Sequence, residues 1–517
     1  MNRLGIFLSG IALASGLASC GVRDKLGDGT GRPNILFIMT DDHSYQTLSA
    51  YNKKAQPTPN LDRIAQEGAI FENSFVTNSI CAPSRATMLT GKFSHINGQT
   101  NNAATFDGNQ LTFPKLLQDA GYETSLIGKW HLKSEPTGFN HWDILIGQGT
   151  YYNPNFTTNG VLTHHEGYIT NIITEKALAW LGERDKTKPF CLLLHHKATH
   201  RDWQPDTALL NLYNDIEFEL PENFFDTYQG RQAAGEQQLS IATDLDLVYD
   251  LKLLDKEGEI QTKYRKEFQR MIDRFTPEQR RRWDEEYDPI IADFKKQGLE
   301  GDELSKWKFQ RYMHDYVRCV ASVDLNIGRI LKYLDDNELA KNTIVVYTSD
   351  QGFYMGEHGF FDKRFMYEQS LRTPLLVRYP QKIKAGTKVG QLVQNIDYAP
   401  TFLDYAGVKI PAEIQGISLK PLLEDKQTEW REAIYYHYYD YPAEHMVKRH
   451  YGIRTERYKL IHFYNDIDQW ELYDLENDPD EMNNIYDQRE NSELIDSLKM
   501  KLAELQVQYE DADRSTY

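Results

Sequence analysis

Short apolar runs bounded by turn residues recur along the chain, at residues 35–39, 125–127, 190–194, 344–347 and 375–377. They are rich in Ile, Leu and Val and show no polar alternation. That pattern predicts strands buried on both faces of a parallel sheet. Between them lie stretches with helical periodicity, at 58–67, 112–120, 168–183 and 312–337. Strands alternating with helices predict an α/β fold with a large, mostly parallel sheet flanked by helices. In such a fold the chemistry belongs at the carboxyl ends of the strands.

Two regions break this rhythm. Residues 207–311 are heavily charged, with Arg280-Arg281-Arg282 among many acids. They read as an insertion of solvated helices, with 264–275 and 283–296 as the helical pieces. From about residue 385 the pattern alternates at 433–439, 452–454 and 458–463 and ends in a helical stretch at 492–509. This predicts a smaller C-terminal α+β subdomain, 385–517, with an antiparallel sheet and a terminal helix. The main domain then spans 32–384.

A chain of 517 residues buries a large core. Its formal charge of −18 argues against nucleic acid as a partner, because phosphate binding needs a basic surface. A polyanionic ligand would have to be held by a local basic pocket. The 32 Tyr and 8 Trp suit sugar faces as well as cores.

The N-terminus reads as a targeting segment. Arg3 precedes an apolar stretch, 4–17, that is too short to span a membrane as a mature helix. It ends in Leu17-Ala18-Ser19-Cys20-Gly21, which resembles a bacterial lipobox. The resemblance implies a signal peptide at 1–19, lipidation of Cys20, and a tether at 20–31. An exported lipoprotein of the periplasm or outer-membrane surface is expected, held to the membrane through its lipid anchor only. Setting Cys20 aside leaves three cysteines, an odd number for an oxidising compartment. Cys191 and Cys319 lie in apolar runs and read as buried thiols, not as a disulfide framework.

The remaining one, Cys81, opens the run Cys81-Ala82-Pro83-Ser84-Arg85-Ala86-Thr87-Met88-Leu89-Thr90-Gly91. Residues 84–91 read as a helix start, with a proline just ahead where the missing N–H costs little. Cys81 then sits near a helix N-terminus, which favours negative charge, and Arg85 is one turn in. Four further motifs follow predicted strands: Met39-Thr40-Asp41-Asp42, Gly128-Lys129-Trp130-His131, Lys197-Ala198-Thr199-His200 and Ser349-Asp350-Gln351-Gly352, with Asp362-Lys363-Arg364 shortly beyond.

Together these five motifs resemble the type I sulfatases. Their signature is Cys (or Ser)-x-Pro-Ser-Arg followed by Leu-Thr-Gly. The likeness runs through most of residues 33–480 and includes 395–401 and 471–475. It implies the alkaline-phosphatase-like sulfatase fold. It also implies that a separate sulfatase-maturing enzyme oxidises Cys81 to formylglycine, whose hydrated aldehyde is the nucleophile. Asp41, Asp42, Asp350 and Gln351, with the modified Cys81, correspond to the metal site. Their hard oxygen donors favour Ca²⁺ or Mg²⁺ over zinc, and the resemblance implies Ca²⁺, with Mg²⁺ behind it. Gln351 stands where the family often has Asn.

By the same resemblance, Arg85 and Lys129 stabilise the hydrate's charge. One hydrate oxygen attacks sulfur and the alcohol leaves. His131 then takes the proton whose loss releases sulfate from the sulfated enzyme intermediate. His200 protonates the leaving alcohol, and Lys363 binds a sulfate oxygen. His195 and His196 fit no family position and read as strand-end packing.

The 350–378 stretch looks most like N-acetylglucosamine-6-sulfatases. The expected substrate is the 6-O-sulfate of N-acetylglucosamine in host glycans of heparan or mucin type. Other sugar sulfates (of N-acetylgalactosamine, galactose or uronate) are the alternative, with a phosphodiesterase of the same superfold further behind. Position nominates Arg201 and His445 as sugar contacts. The aromatics of 435–441, with Arg449 and His450, serve equally well as sugar contacts or as sheet packing.

Overall fold

The computed structural model describes residues 31–511. The expected leader and Cys20 lie outside them. The described residues from Arg32 onward form one compact unit.

Ten strands make one mixed sheet. Its five central strands run parallel, in the order Thr343–Ser349, Asn34–Thr40, Phe190–His195, Glu123–Gly128, His141–Leu145. All seven residues of Asn34–Thr40 are buried, which explains its unbroken apolar run. Its side chains alternate between two cores: Ile35, Phe37 and Met39 enter one layer, Leu36 and Ile38 the other. Cys191 and Cys319 fall in opposite layers, free and buried.

Several expectations shift. The 375–377 run forms Leu375–Arg378, but it is antiparallel to both neighbours. Burial alone does not encode direction. The helix expected at 312–337 is Gly301–Asp336, since its first turns are too charged to show an apolar stripe. Within 207–311 the helices Arg265–Ile272 and Pro277–Gln297 are present. Most of 207–264, however, is turns. It is not merely solvated, because Leu245, Val248, Leu251 and Leu253 are buried against the long helix. The boundary at 385 also moves. Thr387–Val389 pairs with Ala69–Phe71 in the main sheet, and Tyr398–Tyr405 packs beneath it.

The small sheet is a four-stranded antiparallel meander, Ala433–Tyr438, His450–Thr455, Tyr458–Phe463 and Gln469–Asp474. One face packs on the terminal helix Ser492–Gln508 through Ile453, Leu460, Ile495 and Leu498. The other packs through Ile434, Tyr436, Ile461 and Phe463 against Phe360, Phe365 and Met366. That second contact fixes the loop bearing Lys363.

Candidate active site

Four neighbouring strands deliver the site at their carboxyl ends. Thr40 lies opposite Ser349 in parallel register, so Asp41-Asp42 and Asp350-Gln351 emerge side by side. The Asp350 N–H donates to the Thr40 carbonyl at 3.1 Å. Glu123–Gly128 delivers Lys129 through a glycine at φ +112°, where a Cβ would lie 1.9 Å from the His195 carbonyl oxygen. Only glycine permits that approach. Phe190–His195 leads to Lys197 and His200.

The cysteine helix spans Cys81–Thr90 and ends in Gly91 with left-handed geometry. It starts three residues before the expected Ser84, so Cys81 is itself the first helical residue. Every residue of this helix is buried. Ser84 Oγ donates to the Asp350 carbonyl and accepts from Asn395 Nδ2 at 2.9 Å. Arg85 Nε donates to Asp350 Oδ2 at 2.9 Å and its Nη1 to the Lys129 carbonyl at 2.8 Å. One arginine thus ties three motifs together.

Cys81 Sγ lies 3.4 Å from Asp41 Oδ1. Burial, with Asp350 and Asp42 acting the same way against Lys363 and Arg85, pushes its thiol up to about 12. At neutral pH it is a protonated thiol and a poor nucleophile.

Ligand oxygens of Asp41, Asp42 and Asp350 all lie within 4.8 Å of one another, and all three residues are buried. Burial and then the neighbouring Asp350 and Asp362 push Asp42 up to about 6 against Lys363. Gln351 Nε2 donates to Asp42 Oδ1, while its Oε1 is buried without a partner. Three carboxylates and a spare amide oxygen suit a hard divalent cation. Cations face the same carboxylates: Lys129 Nζ on Asp41, and Lys363 Nζ on both oxygens of Asp42 at 2.7 and 2.6 Å.

His200 Nδ1 meets the Arg201 carbonyl at 2.6 Å, which leaves Nε2 facing Asp42 Oδ2 at 3.8 Å. Burial and then Lys129, Lys197 and Lys363 hold this imidazole well below its usual range. His131 is held low by burial and then by Lys129 and Arg85, and its Nδ1 is buried without a partner. His195 and His196 are buried among the strand ends, as expected.

Arg201 and His445 come together, with Arg201 Nη1 3.4 Å from His445 Nε2. Asp250 clamps Arg201 with two bonds at 2.6 and 2.8 Å, and Asp362 lies 3.3 Å from His445. Nothing in the sequence marks Asp250, which sits in the charged region with no motif around it. Tyr435, Tyr436 and Tyr438 pack within the small sheet. Arg449 pairs with Asp466, and His450 is fully buried among Phe365, Tyr436 and Phe463. These two therefore do not face the site. Asp42, His131, Asp362, Arg364 and His445 all have φ between +57° and +101°. Non-glycine residues rarely adopt this conformation, and it clusters at functional sites.

Residues 33–408 match the family model described as Sulfatase, and 356–508 match N-sulphoglucosamine sulphohydrolase, C-terminal. The chain is 52% identical over 507 residues to an N-acetylglucosamine-6-O-sulfatase of Bacteroides thetaiotaomicron, covering 97% of this chain and 90% of the relative. It is 25% identical over 442 residues to the human N-acetylglucosamine-6-sulfatase, covering 79% of this chain and 68% of that one. A solved structure in complex with its substrate D-glucosamine-2-N,6-O-disulfate superposes with a TM-score of 0.90 at 53% identity, over 93% of this chain and 99% of that one.

Proposed function

The chain belongs to the sulfatase family and is a sulfate-ester hydrolase, and from that premise we propose that it removes the 6-O-sulfate of N-acetylglucosamine or its N-sulfated counterpart in sulfated glycans. The supporting observation is the extensive likeness to an N-acetylglucosamine-6-O-sulfatase and to a solved structure that holds a glucosamine disulfate as its substrate. Arg201 and His445 are the sugar contacts in this reading. They sit past His200, where the leaving sugar would lie.

Asp41, Asp42, Asp350 and Gln351 would hold a calcium ion, which would supply positive charge against a sulfate oxygen. Conversion of Cys81 would supply the nucleophilic hydrated aldehyde, in place of a thiol that burial keeps protonated. The chain's own side chains do the rest. Lys363 binds and orients the sulfate, and Arg85 and Lys129 hold negative charge at position 81. His131 Nδ1, on a neutral ring, accepts a proton there. His200 Nε2 gives a proton to the leaving oxygen. The low proton affinity of His200 makes its imidazolium a strong acid toward an alkoxide. The negative charge of a bound sulfate ester offsets the lysines that depress it.

Two outcomes check this reading. Matured enzyme offered a panel of 2-, 3-, 4-, 6- and N-sulfated monosaccharides is expected to release sulfate fastest from N-acetylglucosamine-6-sulfate or glucosamine-2-N,6-O-disulfate. Cleavage of another position with the 6-sulfate untouched would overturn the substrate assignment and leave the class intact. Chelation of divalent ions should remove activity and lower the melting temperature, and calcium should restore both. A ligand at 100 times its Kd stabilises the folded state by about 2.7 kcal/mol. An Asp350→Asn variant should need far more calcium for the same melting temperature. A melting curve indifferent to chelator and calcium would count against the calcium site.

A further inference from the structure

Beside His200 and Arg201 the structure opens a cavity of about 440 Å³, bounded by residues 148–152, the 197–204 segment and the helix Arg265–Ile272. Lys197, Arg270 and Arg274 line it. Lys266, one helical turn before Arg270, lines an adjoining cleft that shares Arg270. Lys266 and Arg270 lie one turn apart on that helix, and Arg274 follows two residues past its end.

Among the described residues, no carboxylate pairs with any of the four. Arg270 Nε donates only to the Lys266 carbonyl at 3.2 Å, and Arg274 reaches the carbonyls of Tyr152 and Asn153. Lys197 is 3% exposed, and its ammonium rests 4.8 Å from the centre of the Tyr151 ring. Their neighbours differ. Lys256, Arg265, Arg280, Arg281 and Arg282 each hold an acid. Two acids share the cavity wall, Glu267 and Asp202, and Asp202 accepts from Gln204 Nε2 at 2.6 Å. Arg201 also lines it, but its Nε and Nη2 are paired with Asp250.

A chain with a net charge of −18 thus leaves three cations unneutralised along one cleft beside His200 and a fourth, Lys266, in the cleft adjoining it. A buried, unpaired ammonium is costly unless a charged partner arrives. Burial lowers the proton affinity of Lys197 while Asp202 and Asp42 oppose it, and a bound anion would act with them. We infer that this cleft is a second anion subsite, taking a sulfate or carboxylate of the same glycan other than the sulfate being cleaved. The inference rests on the sulfated-glycan reading above and adds that the enzyme selects for substrates bearing a further negative group.

The test uses matured full-length enzyme and its Lys197→Gln and Arg270→Gln variants. Three substrates are compared: N-acetylglucosamine-6-sulfate, glucosamine-2-N,6-O-disulfate, and 6-sulfated N-acetylglucosamine linked to a uronate. Both variants are expected to lose roughly tenfold or more in kcat/KM on at least one doubly charged substrate, mainly through KM. N-acetylglucosamine-6-sulfate should change by less than about twofold with Arg270→Gln, because, among the described residues, Arg270 makes no hydrogen bond or ion pair to the candidate catalytic ones. Loss on the disulfate marks a sulfate ligand, and loss on the uronate conjugate a carboxylate. Equal losses on all three substrates, or none on any, overturn the subsite. If wild-type enzyme leaves every 6-sulfate intact, the substrate reading fails. Calorimetric binding of N-sulfoglucosamine and of free uronate then decides the subsite. Weaker binding by both variants supports it, and no binding or unchanged binding overturns it.

Discussion

Cys81→Ser is expected to abolish multiple turnover, with a loss of roughly 10⁴-fold or more, the scale on which removal of a covalent nucleophile acts. The variant should still fold. Cys81 is 1% exposed and Sγ makes only a long contact with Asp41 and another with Gln351, so a smaller hydroxyl fits the space. Intact-mass measurement after incubation with substrate should show either unmodified serine or a serine stably carrying sulfate. A serine hydroxyl lacks the second, geminal hydroxyl through which a hydrate expels sulfate. The same logic applies to wild-type chain made without a sulfatase-maturing enzyme. It should fold, bind metal, show an intact thiol by mass and remain nearly inactive, because burial keeps that thiol protonated at neutral pH. Wild-type rates from either protein would show that position 81 acts in some other way.

His200→Ala is expected to divide substrates by leaving group. A sugar alkoxide is a poor leaving group, so removal of the acid should cost roughly 10²–10⁴-fold in kcat on the glycan. A nitrophenyl sulfate leaves without protonation and should lose less than about tenfold. The geometry behind this is the Nδ1 contact to the Arg201 carbonyl, which fixes the ring and reserves Nε2 for the substrate side. Equal losses on both esters would mean that His200 positions the sulfate and does not protonate the sugar. Lys363→Ala serves as the contrast, because it should slow both esters alike.

Part of the candidate site was legible in the sequence because Asp41-Asp42, Lys129, His200 and Asp350-Gln351 follow strands. Asp41-Asp42 and Asp350-Gln351 end apolar runs that any reading of periodicity marks as strands, and a parallel pair brings such ends together. Lys129 and His200 follow for the same reason. Features set by long-range packing were not legible. Asp250 reaches Arg201 from a region without periodicity. The unpaired state of Lys197 depends on the placement of every neighbouring acid. Tyr435 to His450 mixes aromatics and cations in a way that fits either a sugar platform or a packed sheet. Packing within the sheet, which sequence does not state, decides it for most of them, whereas His445, also buried, faces Arg201 and Asp362. Likewise, Leu375–Arg378 has the composition of a parallel strand and runs the other way.

Arg85 and its partner Asp350 are separated by 265 residues. Cys81 therefore leaves the ribosome long before the strand that closes over it exists. At 5–20 residues per second, that interval is roughly 13–53 s of translation. Until then the thiol lies on an open chain, and afterwards it is sealed at 1% exposure. On the proposed reading, a modifying enzyme acting on Cys81 during synthesis would work against a clock set by elongation. Synonymous codons that change elongation speed between positions 81 and 350 should alter the fraction of active molecules without changing a single amino acid.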